Sequence, residues 1–234
     1  IADNATHQKM ACGDPKAMAK VAILDPELTL SQPPRVTACT GIDAIAHAVE
    51  TAVTRKRNET SLKYSRAAFQ MMLENFSRVL ESPDDLEARG QMLLGAAYAG
   101  TAIEHSMLGA AHSAANPLTA HYNVVHGQAV GMMLPHVVRF NAADETIADG
   151  YAALVKDTAV ASSNGTLSAE ALAQAMEALL DSANLPRDLT AFGVDANQLD
   201  VLSKEAAQQW TASFNPRDIT AADFTGLYQK AFAS

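Results

Sequence analysis

The stretch "GIDAIAHAVE", Gly41 to Glu50, sets an acid and an imidazole four residues apart, Asp43 and His47. On a helix that spacing puts both side chains on one face, where they reach a common point. A second stretch, "GAAHSAANPLTAHYNVVHG", Gly109 to Gly127, adds His112, His121 and His126. Carboxylate oxygen and imidazole nitrogen are the donors that divalent ions of the iron and zinc kind take. Asp43 and His47 would supply two of them from one helix. His112 and His126 stand fourteen residues apart, and Pro117 with the turn-prone "HYN" between them lets the chain return and present a second pair. One acid with three histidines leaves coordination positions open for a substrate, as a catalytic ion requires.

Spacing alone leaves a plainer reading open. An acid and a histidine at i and i+4 also describe an ordinary solvated helix face. Asp43 has a second structural use, as the acid of a capping box begun by Thr40. His112, set among alanines, equally suits a hydrogen-bonded core imidazole. His105, His121 and His136 read as structural or surface residues.

The elements that must position these groups read mostly as helices. "TGIDAIAHAVETAV" (40–53) places Ile42, Ile45, Val49 and Val53 on one stripe at spacings of three and four, and "QPP" (32–34) punctuates the chain before it. "SLKYSRAAFQMMLENFSRVL" (61–80) is amphipathic. "SPDD" (82–85) opens a helix over about 84–106 with a cap and an acidic first turn, and its "LLGAAYAGTAI" is small enough for close packing. The segment 108–120 is predicted to break at Pro117, and "GQAVGMMLPHVVRFN" (127–141) to be a buried helix interrupted at Pro135. Further helices are expected near 145–160, 168–183, 196–208 and 220–232, with turns at "SSNGT" (162–166) and "NPRD" (215–218). "KVAILDPELT" (20–29) reads as a short strand closed by Asp-Pro, and "GDPKAM" (13–18) as a turn. The expected fold is mainly α, a helical bundle with a short β piece at the N-terminus. The boundary falls near residue 30, between a strand-bearing piece 1–30 and a helical domain 31–234.

Composition narrows the function classes. Of 234 residues, 48% are hydrophobic and 18% charged, which supports a sizeable core. The 17 Lys and Arg against 26 Asp and Glu give a net charge of −9 without a basic cluster, so nucleic acid is not an expected partner. Cys12 and Cys39 make no C-x-x-C pair and suit a reducing cytoplasm. No apolar run approaches a membrane span, so no membrane partner is expected. "IADNATHQKM" has neither the basic nor the apolar region of a signal peptide and no initiator Met, and reads as the middle of a longer gene product.

"ILDPELTLSQPPRVTACTGIDAIAHAVE" and "NPLTAHYNVVHGQAVGMMLPHVVRFN" together resemble the iron-containing (group III) alcohol dehydrogenases, and the likeness runs down to "FNPRDITAADFTGLYQKAF". In that family a "TGxDAxxHAxE" helix, an "H-x-x-x-[HN]-P-[LI]" segment and the following "HG" supply the ligands of a divalent metal. The resemblance implies Asp43, His47, His112 and His126 as ligands here. It implies an NAD- or NADP-linked oxidoreductase for a small alcohol or aldehyde, with Fe2+ or Zn2+ as the ion, and a homo-oligomer. Metal-dependent phosphohydrolases need an adjacent His-Asp doublet, and none of the seven histidines is followed by Asp. The other alternative is a helical metal-binding module without catalysis of its own.

The chain departs from the family's pattern in two places. Where many members carry a second histidine four residues after the third ligand, this chain has Asn116, which can donate and accept hydrogen bonds and so could orient a substrate hydroxyl, but cannot titrate. The family's upstream "GGGS" and "TTxGTGSE" phosphate-binding segments have no counterpart here. On the cofactor side the resemblance implies Lys9, in "THQKMACGDP", and Leu28, in "DPELT". With its sheet neighbours missing, the piece 1–30 is expected to leave Val21, Ile23 and Leu24 uncovered for another chain to bury.

Overall fold

A computed structural model describes Lys16, residues 19–160 and residues 168–232. Lys9 and the expected turns at 13–18 (but for Lys16) and 162–166 lie outside the described residues. What is described is helical. In chain order the long helices are α1 (Pro34–Val53), α2 (Glu59–Glu81), α3 (Leu86–Glu104), α4 (Ala110–Tyr122), α5 (His126–Asn141), α6 (Glu145–Val155), α7 (Ala169–Ser182), α8 (Leu199–Gln208) and α9 (Ala221–Ala231). Short 3₁₀ turns at Pro26–Thr29, Leu189–Phe192, Ala196–Gln198 and Trp210–Phe214 join them.

Helix α1 is the hub, packing against α2, α3, α5 and α6. Its predicted stripe is the buried one: Ile42, Ile45, Val49 and Val53 all lie in the core. Its start is two turns earlier than the capping-box reading placed it. Pro33 stands at the N-cap and Pro34 at the first helical position, where a missing N–H costs nothing. Thr40 is therefore mid-helix, and its hydroxyl donates back to the Val36 carbonyl at 2.8 Å. Asp43 caps nothing and is left for other work.

Two predicted breaks do not occur. Pro117 sits inside α4 and Pro135 inside α5, and both helices run through them. Each ring removes one hydrogen bond and crowds the carbonyl four residues back, a cost of roughly 3 kcal/mol in a free helix. Both helices are buried along most of their length, and that packing outweighs the local loss. The return between them is as expected from "HYN": Asn123 takes a left-handed conformation, φ 52°, and α5 begins three residues later.

Side-chain caps open α2, α3 and α9, the one at 82–85 as expected. Asn58 and Ser61 form a reciprocal capping box for α2. Asp85 accepts from the Ala88 N–H at 3.0 Å to open α3, and Thr220 with Asp223 boxes α9. Residues 215–217 form the expected bend. The strand over 20–29 is not formed. Pro26–Thr29 is a 3₁₀ turn capped by the Asp25 side chain, and the run before it meets no strand among the described residues to complete a ladder. Val21, Ile23 and Leu24 are 77%, 86% and 41% exposed, uncovered as expected. The turn itself is held to α3 by Arg89, whose guanidinium donates to the Thr29 carbonyl at 2.8 Å and hydroxyl at 3.1 Å.

His136, the residue after Pro135, is buried in α5. Burial first, then the nearby Arg139 charge, pull its pKa down from 6.5 to about 4. An unfolded chain takes up this proton as the pH falls below 6.5, and the folded chain only near 4. The native state therefore loses stability across that window, by up to about 3 kcal/mol. Urea unfolding between pH 7 and 4 should show a shallower decline for His136→Gln than for the parent chain. Parallel curves would mean that His136 is not held neutral by the fold.

Candidate metal centre

Three helices bring the predicted groups together. Helix α1 carries Asp43 and His47 one turn apart. His112 is the third residue of α4 and His126 the first of α5. The Asp43 Oδ1 atom is their common point. It lies 3.2 Å from Nε2 of His112, 3.6 Å from Nε2 of His47 and 3.8 Å from Nε2 of His126. Donor atoms of Asp43, His112 and His126 all fall within 4.8 Å of one another. His47 is not part of that group of three; it stands beside it, 3.6 Å from Asp43 and stacked on His112 with ring centroids 4.9 Å apart and planes 28° from parallel. The His126 ring is tilted 58° to that of His112 at 5.4 Å.

These distances test whether a divalent ion fits. Four donors about 2.1 Å from a common tetrahedral ion stand about 3.4 Å from one another. The three separations from Asp43 bracket that value. One carboxylate with three imidazoles is also a donor set that both iron and zinc accept. His112 is buried, while Asp43, His47 and His126 each keep between a fifth and a quarter of the side chain exposed. The cluster is thus closed behind His112 and open on the other side.

The electrostatics favour a cation at this point. Burial acts to raise the Asp43 pKa, but the hydrogen bond from His112 and the charges of His47, His112 and His126 outweigh it, so the carboxyl stays well below the usual range. Burial acts to lower His112, but the Glu50 and Asp43 carboxylates raise it to about 9. The two carboxylates therefore hold positive charge between them.

Sequence reasoning missed Glu50. Its carboxylate is buried, with Oε2 2.5 Å from His112 Nδ1 and Oε1 accepting from the Ala111 N–H at 2.7 Å. The signal was present in the opening stretch. Asp43, His47 and Glu50 stand at i, i+4 and i+7, one continuous helix face.

Local sequence explains how close the helices come. A Cβ on Gly127 would lie 1.9 Å from the Cys39 carbonyl oxygen and 3.1 Å from the Asp43 Cβ. Only a residue without a side chain lets α5 begin against α1, and that contact delivers His126 to Asp43. One turn further along, a Cβ on Gly131 would meet Ile42 Cγ2 at 2.6 Å.

The other candidate residues are more dispersed. Asn116, one turn after His112, donates from Nδ2 to Oε1 of Gln209 at 3.0 Å. Its Oδ1 is buried and has no hydrogen-bond partner among the described residues. Gln209 was not foreseen, because it comes from a distant loop. Leu28 is 74% exposed on the Pro26–Thr29 turn. His121 pairs with Glu205 at 2.8 Å on the surface, outside the cluster.

Comparison with known proteins gives consistent matches. Residues 37–232 match the model of the Fe-containing alcohol dehydrogenase family, C-terminal. The chain is 32% identical over 219 residues to long-chain-alcohol dehydrogenase 1 of Geobacillus thermodenitrificans, covering 92% of this chain and 55% of that protein. It is 28% identical over 231 residues to the NAD-dependent methanol dehydrogenase of Bacillus methanolicus, covering 99% of this chain and 61% of that protein. A crystal structure of a 1,3-propanediol oxidoreductase superposes with a TM-score of 0.80 at 27% identity, over 89% of this chain and 55% of the other. The chain thus spans between a half and two thirds of the length of these relatives.

The Gly127 contact generates a direct test. Gly127→Ala forces α5 away from α1 and His126 away from Asp43. Overpacking of this kind costs on the order of 3 kcal/mol, so the melting temperature should fall by several degrees. Zinc uptake, followed by equilibrium dialysis, should fall with it. A variant of unchanged stability and unchanged zinc uptake would show that the helix seat does not set the site.

Proposed function

The chain belongs to the Fe-containing alcohol dehydrogenase family, and on that premise we propose that it is the metal-holding part of an NAD(P)-linked alcohol dehydrogenase or aldehyde reductase. The observation that carries this reading is the convergence of Asp43, His112 and His126, with His47 beside them, on one partly open point. These four residues would hold the ion, Fe2+ or Zn2+. The order of divalent affinities favours zinc in open competition, so supply would decide which is found. Such an ion supplies a Lewis acid for the oxygen of an alcohol or aldehyde, and NAD or NADP supplies the hydride acceptor or donor.

The chain's own residues would do the positioning. Asn116 stands one turn beyond His112 with its amide nitrogen held by Gln209. Its Oδ1 can accept from a substrate hydroxyl, but an amide cannot take the proton away. Protons must therefore leave through water or through groups outside this cluster. On the cofactor side, Leu28 sits on a turn fixed by Arg89, and Lys9 is proposed from resemblance alone. We read residues 1–30 as belonging with a dinucleotide-binding domain, residues 31–234 as the metal-holding domain, and the whole as a homo-oligomer of the cytoplasm. Among the described residues no helix is long and apolar enough to cross a membrane.

A second reading, a helical metal-binding module without catalysis of its own, is separated from the first by activity alongside metal content. In the full-length protein we expect about one ion per chain. His126→Ala should lose the ion and on the order of a thousandfold or more in kcat/KM. Asn116→Ala should keep the ion and lose roughly tenfold, about 1.4 kcal/mol, as for one hydrogen bond. Steady-state kinetics with metal analysis on both variants checks this. Near-normal activity of a metal-free His126→Ala would end the metal reading, and a more damaging Asn116→Ala would reverse the two roles. For this chain by itself, calorimetry with NADH and NADPH should show at most weak binding, because no Gly-rich phosphate cradle lies within it. Tight binding of either would place the cofactor site within these residues.

A further inference from the structure

Glu50 is buried as deeply as His112, and both its oxygens are engaged. Oε1 accepts from the backbone N–H of Ala111, in the first turn of α4. Oε2 accepts from Nδ1 of His112, the next residue along. The approach is close because residue 109 has no side chain: a Cβ there would stand 3.2 Å from Oε1. Helix α4 has no capping side chain of its own at Gly109, so a carboxylate from α1 does that work. Capping alone would use one oxygen. The second oxygen is spent on an imidazole.

That contact decides which nitrogen of His112 is available. A carboxylate can only accept, so Nδ1 donates to Glu50 and keeps its proton, and Nε2, which points at Oδ1 of Asp43 3.2 Å away, is the nitrogen left to ligate a cation. We propose that Glu50 is a positioning residue of the metal centre, fixing the tautomer and ring orientation of His112 so that Nε2 is presented to a divalent cation. This rests on reading the Asp43–histidine cluster as a metal site. Carboxylates placed behind ligating imidazoles act in this way generally, and their loss weakens metal binding about 10- to 100-fold. His47 and His126 are part-exposed, whereas His112 is enclosed and takes its orientation from its protein neighbours.

The isosteric amide separates this role from simple capping. A glutamine at position 50 has one acceptor and one donor end. If its oxygen faces His112, its NH2 meets the Ala111 N–H, donor against donor. If it turns round, its NH2 donates to Nδ1, the imidazole proton moves to Nε2, and the lone pair leaves the cation's position. The second arrangement satisfies the buried helix start and so is the one expected.

The experiment is a zinc titration of the parent chain and of Glu50→Gln against a competing chelator, with melting temperatures measured with and without zinc. We expect zinc affinity to fall about 10- to 100-fold and the zinc-induced rise in melting temperature to shrink. Equal zinc affinity, with melting lowered by the same amount in both states, would show that Glu50 only caps α4 and would overturn the proposal. A folding failure of the variant is covered by a measurement on the parent chain. The imidazole nitrogen shifts of His112 in the zinc-loaded protein should show a protonated Nδ1 and a zinc-bound Nε2, and the reverse assignment overturns the proposal. If the parent chain takes up no zinc at all, the metal reading itself fails, and this inference falls with it.

Discussion

A single carboxylate oxygen, Oδ1 of Asp43, faces three imidazole nitrogens from three helices. Much of the structure can be read as what that arrangement requires. A partly buried carboxylate is costly unless its charge is matched. Here it is matched by groups separated from it in sequence by up to eighty-three residues. The helices that bear them must therefore be held in register by packing, since no local contact does so. Helix α1 provides that frame. One stripe of it faces the core through Ile42, Ile45 and Val49, and an adjoining stripe carries Asp43, His47 and Glu50. The apolar stripe anchors the helix, and the polar one is consequently aimed inward as well.

Much of this was legible in the residues. Spacing put the α1 pair on a shared face, because i and i+4 convert directly into one, while their reading as ligands came from the resemblance. The start of α3 followed from the cap and acidic first turn of "SPDD", which are local. The readings that failed were those in which a local cost met tertiary packing. Pro117 and Pro135 are breakers in isolation and are tolerated inside buried helices. The run before Asp25 has the composition of a strand, but a strand exists only with a partner, and among the described residues none is beside it. Thr40 and Asp43 had the right types for a capping box, but the two prolines at 33 and 34 had already begun the helix.

Glu50 was missed for a different reason. A carboxylate on a helix face is usually solvated, and its composition gave no hint that α4 would start against it. Long-range partners such as Gln209 for Asn116, or Glu50 for Ala111, depend on where a distant loop or helix end arrives. Periodicity cannot report that. The same applies to the pair of asparagines, Asn141 and Asn215, which exchange amide hydrogen bonds at 3.1 and 2.8 Å behind Gly109. They join the end of α5 to the loop after Trp210–Phe214 and close the core behind Glu50.

The seat between α5 and α1 has a lopsided consequence for how this sequence can drift. Gly127 presses against the carbonyl of Cys39, not against its thiol. Every amino acid offers the same carbonyl, so the joint sets no demand on identity at position 39 beyond a side chain that suits the core. At position 127 it admits only glycine. Two residues that touch are thus under unequal restraint: one side of the contact is free to be rewritten, while the other is frozen by an atom that no mutation can remove.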